Sequence, residues 1–506
     1  MSLSAQLSLI PLPTAVEVDE GSTTLTTASR LVADPALGAS FALPLTSHIG
    51  STLERVEEGA DAGDITVSRD ETLPAEGYRL SVTDRIDIAA ADAAGAFYAA
   101  HTLVQLLEKT ADDTWVSPRV RINDAPRFAY RGVMLDVARH FFSVDDVKAY
   151  IDRTSALKYN HLHLHLTDDQ GWRIEIDAWP LLTEKASSTS ANGAPGGFYT
   201  KDDYREIVAY AAERHMVLVP EIDLPGHTHA VGVAYPELVE DPVMNDVLLQ
   251  QAEQLQQELP IAGKPYIGWG VGHSSVRIHE ERTYEFVTDV LRELAEITPG
   301  PYLHIGGDEA LGTPAEDFAH FIARATAITQ SIGKTPVAWH EAGASADIAE
   351  GTVGQYWGKV VPEGTHAADA AHFVARNGQL IMSACDAAYL DMKYSEDFSL
   401  GLSWAGYIPV QKAYEWEPTA VVPDVDDDAI LGVEAPLWAE TLSSLDDVDV
   451  LAFPRAAAIA EIAWSPAEGA DRTWESFRTR VAGLAPLWQA RGIGFHRAEG
   501  IDWPEA

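Results

Sequence analysis

From Arg131 onward the sequence alternates between short apolar runs and longer amphipathic segments, and this alternation constrains the fold more than any other feature. Strands separated by helices form a parallel sheet, because each helix carries the chain back to the edge where the previous strand began. Repeated strand–helix units in one continuous stretch predict an α/β fold, a (β/α)8 (TIM) barrel. The predicted strands are 132–136, 161–166, 217–222, 302–306, 337–340, 353–357, 380–384 and 430–437.

Amphipathic patterns supply helices between several of these strands. They cover 144–157 after a capping Ser143, 201–215 after a capping Thr200, 283–297, 314–331, 366–376 and, after the last strand, 449–463. A doubly wound open sheet is the alternative arrangement of the same units. The sequence has neither GxGxxG after a strand nor a P-loop, which favours the barrel. Segment 232–275 is too long for a plain connection and is expected to cover the barrel mouth.

Residues 1–124 follow a different pattern, which predicts a small α+β domain in front of the barrel. Short strands are expected at 78–82 and 86–88, followed by a helix over 93–109. The sequence Asn-Asp-Ala-Pro at 123–126 reads as a linker. We therefore expect the barrel, with a helix at its carboxyl end, to occupy 125–506 and to be the domain that carries any catalytic site.

The charge of the chain limits its partners. It has 77 acidic and 35 basic side chains in 506 residues, a net charge of −42. Such a chain is repelled by nucleic acid and by anionic membranes, and a neutral or cationic substrate is mildly favoured over a phosphate. The single cysteine, Cys385, cannot form an internal disulfide, and no cluster has zinc-ligand spacing. The sequence does not indicate the oligomeric state.

The amino terminus gives an expectation about location. Residues 1–6 have no basic region followed by an apolar one, and no apolar run of about 18 residues occurs anywhere. With no internal disulfide, the chain reads as cytoplasmic. A secreted chain whose leader had been removed would look the same.

In barrels of this kind the chemistry lies at the carboxyl ends of the strands. The predicted ends carry carboxylates, aromatic rings, one arginine and one histidine. Aromatic faces pack on the C–H faces of sugars, while carboxylates bind hydroxyls and act as acids or bases. The residues at these ends are Asp136, Arg139, Asp168, Asp169, Glu221, Asp223, His227, Asp308, Glu309, Trp339, Glu341, Trp357, Tyr389, Asp391, Trp438 and Glu440. They predict a carbohydrate site.

The most specific motif is His-Ile-Gly-Gly-Asp-Glu at 304–309, which ends in the adjacent carboxylates Asp308 and Glu309. A retaining glycosidase with a protein nucleophile needs two carboxyl groups about 5 Å apart on opposite sides of the anomeric carbon. Neighbouring residues cannot easily straddle a sugar in that way. We therefore expect one carboxyl group to protonate the leaving oxygen and the other to act on a different group of the substrate.

The chain resembles glycoside hydrolase family 20, the β-N-acetylhexosaminidases, over nearly its whole length. The resemblance rests on segments 76–80, 95–103, 131–140, 163–172, 223–227 and 304–309. It implies an exo-acting, retaining enzyme that releases N-acetylglucosamine, or also N-acetylgalactosamine, from the non-reducing ends of oligosaccharides or glycoconjugates. In this family the substrate's 2-acetamido oxygen attacks the anomeric carbon and forms an oxazolinium ion. The resemblance implies no metal and no organic cofactor.

The resemblance also implies roles for individual residues. Glu309 would be the general acid and then the general base, and Asp308 would hold the acetamido N–H and stabilise its developing positive charge. Tyr389 would donate its hydroxyl to the acetamido oxygen. Asp168 and His227 would form a pair that connects to Glu309, unless they are only a polar pair of the core.

The sugar itself would be held by six residues. Arg139 would bind O3 and O4, although it could instead be a structural partner of Asp136. Asp391 and Glu440 would bind O4 and O6, or they are simply part of an acidic surface. The acetamido and sugar faces would be walled by Trp339, Trp357 and Trp438, or these rings belong to the core.

Other functions remain open at this level. His161, His163 and His165 alternate along one strand and, with His227, His229 and Asp308, could bind a metal in a metal-dependent barrel hydrolase. A non-catalytic sugar-binding barrel is a second alternative. A disaccharide-releasing member of the same family is a third, and it would need a deeper pocket. His161 and Cys385 depart from the family pattern and are expected to be a satisfied structural histidine and a small buried side chain.

Overall fold

The protein is described by a computed structural model that covers residues 7–26, 28–56, 58–112 and 114–505. Residues 1–6, which carry the expectation about a leader, lie outside this range. The amino-terminal domain is a mixed sheet with the strand order β1-β8-β5-β6-β4-β2-β3, and β7 pairs with β8. Its strands are β1 Ala15–Leu25, β2 Arg30–Ala33, β3 Glu54–Val56, β4 Ile65–Arg69, β5 Tyr78–Val82, β6 Ile86–Ala90, β7 Glu108–Lys109 and β8 Trp115–Asp124.

Two helices, α1 Pro35–Ile49 and α2 Ala93–Leu106, pack against each other and against this sheet. The predicted helix over 93–109 is too long at its carboxyl end, because Glu108 and Lys109 pair with β8 instead. Asp92 caps α2 by accepting the N–H of Gly95 at 2.8 Å.

Eight parallel strands form a closed barrel in which β18 pairs with β9. This confirms the (β/α)8 prediction and shows that the open-sheet alternative is wrong. The barrel strands are β9 Tyr130–Asp136, β10 His161–His165, β13 Val217–Glu221, β14 Tyr302–His304, β15 Thr335–Trp339, β16 Val353–Tyr356, β17 Leu380–Met382 and β18 Ile430–Ala435. A small hairpin, β11 Thr167–Asp168 and β12 Gly171–Trp172, follows β10.

Helices surround the barrel. Ser143 and Thr200 start α3 and α5 with capping boxes, in which each hydroxyl accepts the N–H of an aspartate three residues on. The helices are α3 Val144–Ser155, α4 Leu181–Ala186, α5 Lys201–Ala212, α6 His229–Ala234, α7 Asp246–Leu255, α8 Glu281–Ile297, α9 Ala315–Ser331, α10 His366–Ala375, α11 Val410–Tyr414, α12 Leu445–Ala452, α13 Arg455–Trp464, α14 Trp474–Ala482 and α15 Ala485–Ala490. Short 3₁₀ turns occur at Ala191–Gly193, Pro236–Leu238, His340–Ala344, Pro418–Ala420 and Asp427–Ala429.

The single helix predicted over 449–463 is two helices, α12 and α13. Pro454 lies between them, and proline has no N–H to continue a helical hydrogen-bond ladder. Segment 232–275 includes the helix α7 rather than loop alone. Within the described ranges, no helix is both long enough and apolar enough to cross a membrane.

The two domains are joined through buried polar contacts. Trp464, at the end of α13, packs into the apolar core of the amino-terminal domain, and its indole N–H donates to Asp124 at 2.9 Å. Lys158 forms an ion pair with the same carboxylate at 2.8 Å. Burying both charges is tolerable only because they are paired and hydrogen-bonded, so this contact specifies how the sheet docks on the barrel.

Candidate active site

A cavity of about 180 Å³ opens at the carboxyl ends of the barrel strands. Residues from distant parts of the sequence meet there because all eight strands are parallel and end at the same rim. The cavity is lined by Arg139, Gln251, Trp269, Val271, Asp308, Glu309, Trp357, Tyr389, Leu402, Trp404, Trp438 and Glu440. The sequence-predicted carboxylates Asp308 and Glu309 thus share one cavity with aromatic rings and an arginine.

The turn after β14 gives the two carboxylates their position. Gly306 and Gly307 have φ angles of 71° and 103°, and a Cβ at Gly306 would collide with the carboxylate of Asp223. The N–H of Gly307 donates to that carboxylate at 3.1 Å. Glu309 itself has a φ of 45°, a left-handed conformation that is uncommon for residues other than glycine and that functional sites can hold in place.

Asp168 and His227 do touch, and they connect to both carboxylates. His227 Nδ1 lies 3.1 Å from Asp168 Oδ1. Its other ring nitrogen, Nε2, lies 3.7 Å from Glu309 Oε2 and 3.8 Å from Asp308 Oδ2. His227 and Asp168 are almost fully buried and do not line the cavity. They therefore influence a bound ligand through Asp308 and Glu309 rather than by direct contact.

The pKa values of Asp168, His227 and Glu309 are shifted in ways that indicate different roles. Burial alone would raise the pKa of Asp168, but the charges of Arg139 and His227 lower it well below its usual range. Burial would lower the pKa of His227, but the carboxylates of Asp168, Asp223 and Asp308 raise it well above its usual range. Burial raises the pKa of Glu309 to about 7, against the opposing charge of His227. A carboxyl group with that pKa can give and take a proton near neutral pH.

Arg139 is both a structural partner and a cavity residue. Its guanidinium lies 2.8 Å from Asp168 and 3.5 Å from Asp136, and it packs on the ring of Trp438 at 4.9 Å. Asp136 is otherwise occupied by backbone N–H groups, among them that of Ala439 at 3.0 Å. Arg139 is therefore more than a structural partner of Asp136, because it also pairs with Asp168 and lines the cavity.

Neither Asp391 nor Glu440 is a solvated surface acid. Glu440 lines the cavity, and burial raises its pKa. Asp391 is 2% exposed and lies behind the cavity wall, and burial, with the charge of Glu440, raises its pKa well above its usual range. Within the described residues, its Oδ2 atom has no hydrogen-bond partner. Glu440 is therefore placed to bind a sugar hydroxyl, while a contact of Asp391 with the sugar stays a prediction that its unpartnered Oδ2 atom supports.

The three predicted tryptophans divide into two groups. Trp357 and Trp438 line the cavity, and the indole N–H of Trp357 donates to Glu341 at 2.8 Å. Trp339 is fully buried and is not among the residues that line the cavity, so its contact with the acetamido group stays a prediction. Trp339 ends β15 and donates its indole N–H to Glu221 at 2.8 Å inside the barrel. Its ring centroid lies 5.9 Å from that of Trp438.

Tyr389 lies in the wall, 5.8 Å from the ring of Trp404 and 6.4 Å from that of Trp438. Burial raises its pKa well above its usual range, so its hydroxyl keeps the proton that it would donate. Trp404 was missed by the sequence analysis. It is 54% exposed, and its ring also lies 6.0 Å from that of Trp357. An aromatic residue in the long connection after β17 was the only available signal.

Segment 232–275 contributes Gln251, Trp269 and Val271 to the lining, so it borders the mouth of the cavity. The sequence had predicted this position for the segment but not which of its side chains face the cavity.

The histidines of β10 are engaged by protein groups. His163 contacts Glu434 at 2.9 Å and Glu221 at 3.1 Å through its two ring nitrogens. His165 contacts Glu221 and Asp168. Burial opposes protonation, but these carboxylates raise the pKa of His163 to about 9 and that of His165 to about 10. These contacts make the strand part of a network of charged hydrogen bonds beneath the cavity. His163, Glu221 and His304 also lie close enough together to share a metal ion, so the EDTA test described below applies to this network.

His161 and Cys385 occupy structural environments. His161 packs on Tyr130, with ring centroids 4.0 Å apart, and contacts the side-chain oxygen of Asn160 at 2.6 Å. Burial lowers its pKa to about 3, so the ring is neutral. The thiol of Cys385 is buried, and burial raises its pKa to about 12, which makes it a poor nucleophile.

Comparison with known proteins agrees with this geometry. Residues 128–320 and 311–467 match the catalytic domain of glycosyl hydrolase family 20, and residues 6–125 match domain 2 of the same family. The chain is 40% identical to a beta-N-acetylhexosaminidase from Cellulomonas fimi, over 98% of this chain and 97% of the relative.

Solved structures of family 20 enzymes also match nearly the whole chain. A family 20 beta-N-acetylglucosaminidase superposes with a TM-score of 0.91 at 52% identity, over 98% of this chain and 100% of the other. The Streptomyces plicatus N-acetyl-beta-hexosaminidase in complex with Thio-NAglucal superposes with a TM-score of 0.89 at 42% identity, over 99% and 98% of the two chains. The protein therefore belongs to glycosyl hydrolase family 20.

Proposed function

We propose that the protein is an exo-acting, retaining β-N-acetylhexosaminidase that removes terminal N-acetylglucosamine from the non-reducing ends of glycans. One observation carries the proposal. The adjacent carboxylates Asp308 and Glu309 share a small aromatic cavity, and His227 Nε2 lies 3.8 Å and 3.7 Å from them. Two carboxyl groups on one side of a sugar fit a mechanism in which the substrate supplies the nucleophile.

In the first step the acetamido oxygen of the substrate attacks the anomeric carbon while the bond to the leaving oxygen breaks. Glu309 gives that oxygen its proton, and Asp308 stabilises the positive charge that develops on the acetamido group. The Tyr389 hydroxyl would donate to the acetamido oxygen, and Trp357 and Trp438 would exclude water from the acetamido group.

In the second step the Glu309 carboxylate takes a proton from water, and the water attacks the anomeric carbon of the oxazolinium ion. The acetamido group is restored, and two inversions leave the β-configuration retained. The ion pair of Arg139 with Asp168 and the contact of Asp168 with His227 hold the charges behind Glu309 in place during both proton transfers.

The size of the cavity supports release of one sugar rather than two. At about 180 Å³ it lies below the roughly 300–1,000 Å³ of pockets that enclose larger ligands. The disaccharide-releasing alternative would need a deeper pocket than this one.

The test uses p-nitrophenyl β-glycosides of N-acetylglucosamine, N-acetylgalactosamine and glucose. We expect hydrolysis of the first and at least weak hydrolysis of the second, and no comparable hydrolysis of the glucoside, because glucose lacks the nucleophilic acetamido group. Equal rates on the glucoside and the N-acetylglucosaminide would overturn the mechanism.

We expect EDTA to leave the rates unchanged, and metal-dependent recovery after chelation would favour the metal-hydrolase alternative.

The pH dependence should follow the proton on Glu309. Because burial raises the pKa of this carboxyl group to about 7, it is protonated and able to act as an acid below that pH and loses this ability above it. We expect kcat/KM for chitobiose to fall with a basic limb near pH 7, since this parameter reports the free enzyme. The limb should be weaker for p-nitrophenyl substrates, whose leaving group needs little protonation. A flat profile to pH 9 with chitobiose would contradict the assignment of Glu309.

A further inference from the structure

A second cavity, larger than the catalytic one, lies elsewhere in the molecule. It has a volume of about 540 Å³ and lies where the amino-terminal domain meets the barrel, between α1, α2, the last turns of α3 and the residues that follow α15. None of its lining residues belongs to the catalytic cavity. Because α3 runs back from the carboxyl ends of the strands, its last turns place this cavity toward the opposite end of the barrel.

The cavity combines apolar side chains with one arginine that makes no direct ion pair with a described residue. Phe97, Trp115 and Ile493 supply apolar surface. Arg491 reaches into the cavity beside them, and burial lowers its pKa. Among the arginines that the structure describes, Arg491 is exceptional, because its side chain makes no hydrogen bond and no ion pair with a described residue. In a chain with 77 acidic side chains, carboxylate partners are plentiful, so an arginine without one is unexpected.

The other charges in the lining are already matched. Arg214 contacts Asp152, which also accepts the hydroxyl of Tyr210 at 2.8 Å. Arg153 pairs with Asp449 at 2.8 Å. Arg153 and Arg214 therefore each have a direct carboxylate partner, whereas Asp152 acts on Arg491 only through its charge, without a direct contact.

Two histidines supply further hydrogen-bonding groups. His101 is 6% exposed, and the Nε2 atoms of His101 and His48 are buried without a hydrogen-bond partner among the described residues. Burial and the charge of Arg491 lower the pKa of His48 to about 4, so its ring is neutral at pH 7. The ring of His48 packs on Trp115 with centroids 4.5 Å apart. A buried polar atom without a partner costs free energy unless a ligand or water satisfies it.

We propose that this cavity binds an organic anion with a flat apolar body, such as an aromatic carboxylate or sulfonate. The anionic group would pair with Arg491 and accept hydrogen bonds from the histidines, while the ring would pack between Phe97 and Trp115. The volume lies inside the range of about 300–1,000 Å³ that is usual for small-molecule sites. Since the whole protein carries a net charge of −42, an anion would bind only where a positive charge is left unpaired.

The test measures binding of the fluorescent aryl sulfonate 8-anilinonaphthalene-1-sulfonate and of its uncharged analogue N-phenyl-1-naphthylamine. We expect Arg491→Gln to weaken binding of the sulfonate at least about tenfold, the usual range for a charge-assisted contact. It should change binding of the uncharged analogue by less than about twofold, because that analogue has no charge to pair. Arg205→Gln is the matched control, since it removes an exposed arginine of α5 whose one ion pair among the described residues is with Asp202 at 2.6 Å.

Three further measurements keep the result interpretable. Arg491→Lys keeps the charge and should retain most of the sulfonate affinity, while glycosidase activity, unchanged in all three variants, reports that each is folded. Saturating N-acetylglucosamine should not displace the probe. Sulfonate binding that is equally tight in Arg491→Gln, or displacement by N-acetylglucosamine, would overturn the proposal without touching the proposed catalytic function.

Discussion

Glu309→Gln is expected to slow hydrolysis of chitobiose by about 10²–10⁴-fold, the usual contribution of a positioned general acid. Glutamine keeps the shape of the side chain but cannot give a proton to the leaving oxygen. For p-nitrophenyl N-acetylglucosaminide the loss in the first step should be smaller, because p-nitrophenolate leaves without full protonation. The measurement is kcat/KM for both substrates with wild type and variant. Wild-type turnover of chitobiose by Glu309→Gln would show that another group is the acid.

Glu341→Gln is the matched control for this substitution. Glu341 lies near the same cavity and accepts the indole N–H of Trp357 at 2.8 Å. Burial, with the charge of Asp308, raises its pKa well above its usual range, which favours the protonated form that glutamine resembles. We expect this variant to keep most of the wild-type activity. A loss as large as that of Glu309→Gln would mean that any carboxyl group near the cavity matters, and would weaken the specific role of Glu309.

Much of the fold could be predicted because the barrel repeats one simple pattern. Each strand is a short apolar run between amphipathic helices, and the predicted runs overlap all eight observed strands. The errors have local causes. The strand predicted over 302–306 ends at His304, because Gly306 and Gly307 take positive φ angles and leave the sheet. The helix predicted over 449–463 is divided, because Pro454 cannot continue it.

The part of the candidate site that lies at the ends of the barrel strands could be predicted from the sequence. Asp308, Glu309 and Trp438 come directly after apolar runs, so the topology alone brings them to one rim. Trp339 has the same kind of position, but its side chain faces the barrel interior. Side chains alternate between the two faces of a strand, so the direction of a residue at the strand end depends on the exact residue at which the strand ends. An apolar run in the sequence does not locate that end to within one residue.

Residues of long connections and of buried networks could not be predicted in this way. Trp404 lies in a connection with no regular periodicity, so nothing in the pattern relates it to the rim. The contact of His165 with Glu221 joins residues 56 positions apart, and only the register of β10 against β13 places them side by side. Both residues could be placed on the correct strands from the sequence, but a charge network is a property of the assembled barrel.

Asp308→Asn is expected to lower kcat by about 10²–10³-fold, the usual cost of removing one well-placed electrostatic group from a site that excludes water. Asp308 is only 6% exposed, and its Oδ1 atom is buried with no hydrogen-bond partner among the residues that the structure describes. That oxygen is therefore free to accept the acetamido N–H. Asparagine keeps the shape but not the negative charge that balances the developing oxazolinium ion. KM should change much less, because the amide is neutral in the ground state.

The same substitution should move the pH profile in a defined direction. The negative charge of Asp308 is one of the causes that raise the pKa of Glu309. Without it the pKa of Glu309 falls, so the basic limb of the residual activity should shift to lower pH. Simple misfolding of the site would not produce this shift. A basic limb that stays in place or moves to higher pH would contradict the electrostatic coupling between the two neighbouring carboxyl groups.

A trapping experiment distinguishes this role of Asp308 from that of a protein nucleophile. Wild-type enzyme is incubated with a 2-deoxy-2-fluoro glycoside carrying a good leaving group, and the intact protein is analysed by mass spectrometry. We expect no covalent sugar on Asp308 or any other carboxyl group, because the substrate's acetamido oxygen forms the bond that a protein carboxylate forms in other retaining enzymes. Since the fluorosugar lacks the acetamido group, it should not react at all. A glycosyl ester on Asp308 would mean that the enzyme supplies its own nucleophile, and the adjacent carboxylates would then have to straddle the sugar after all.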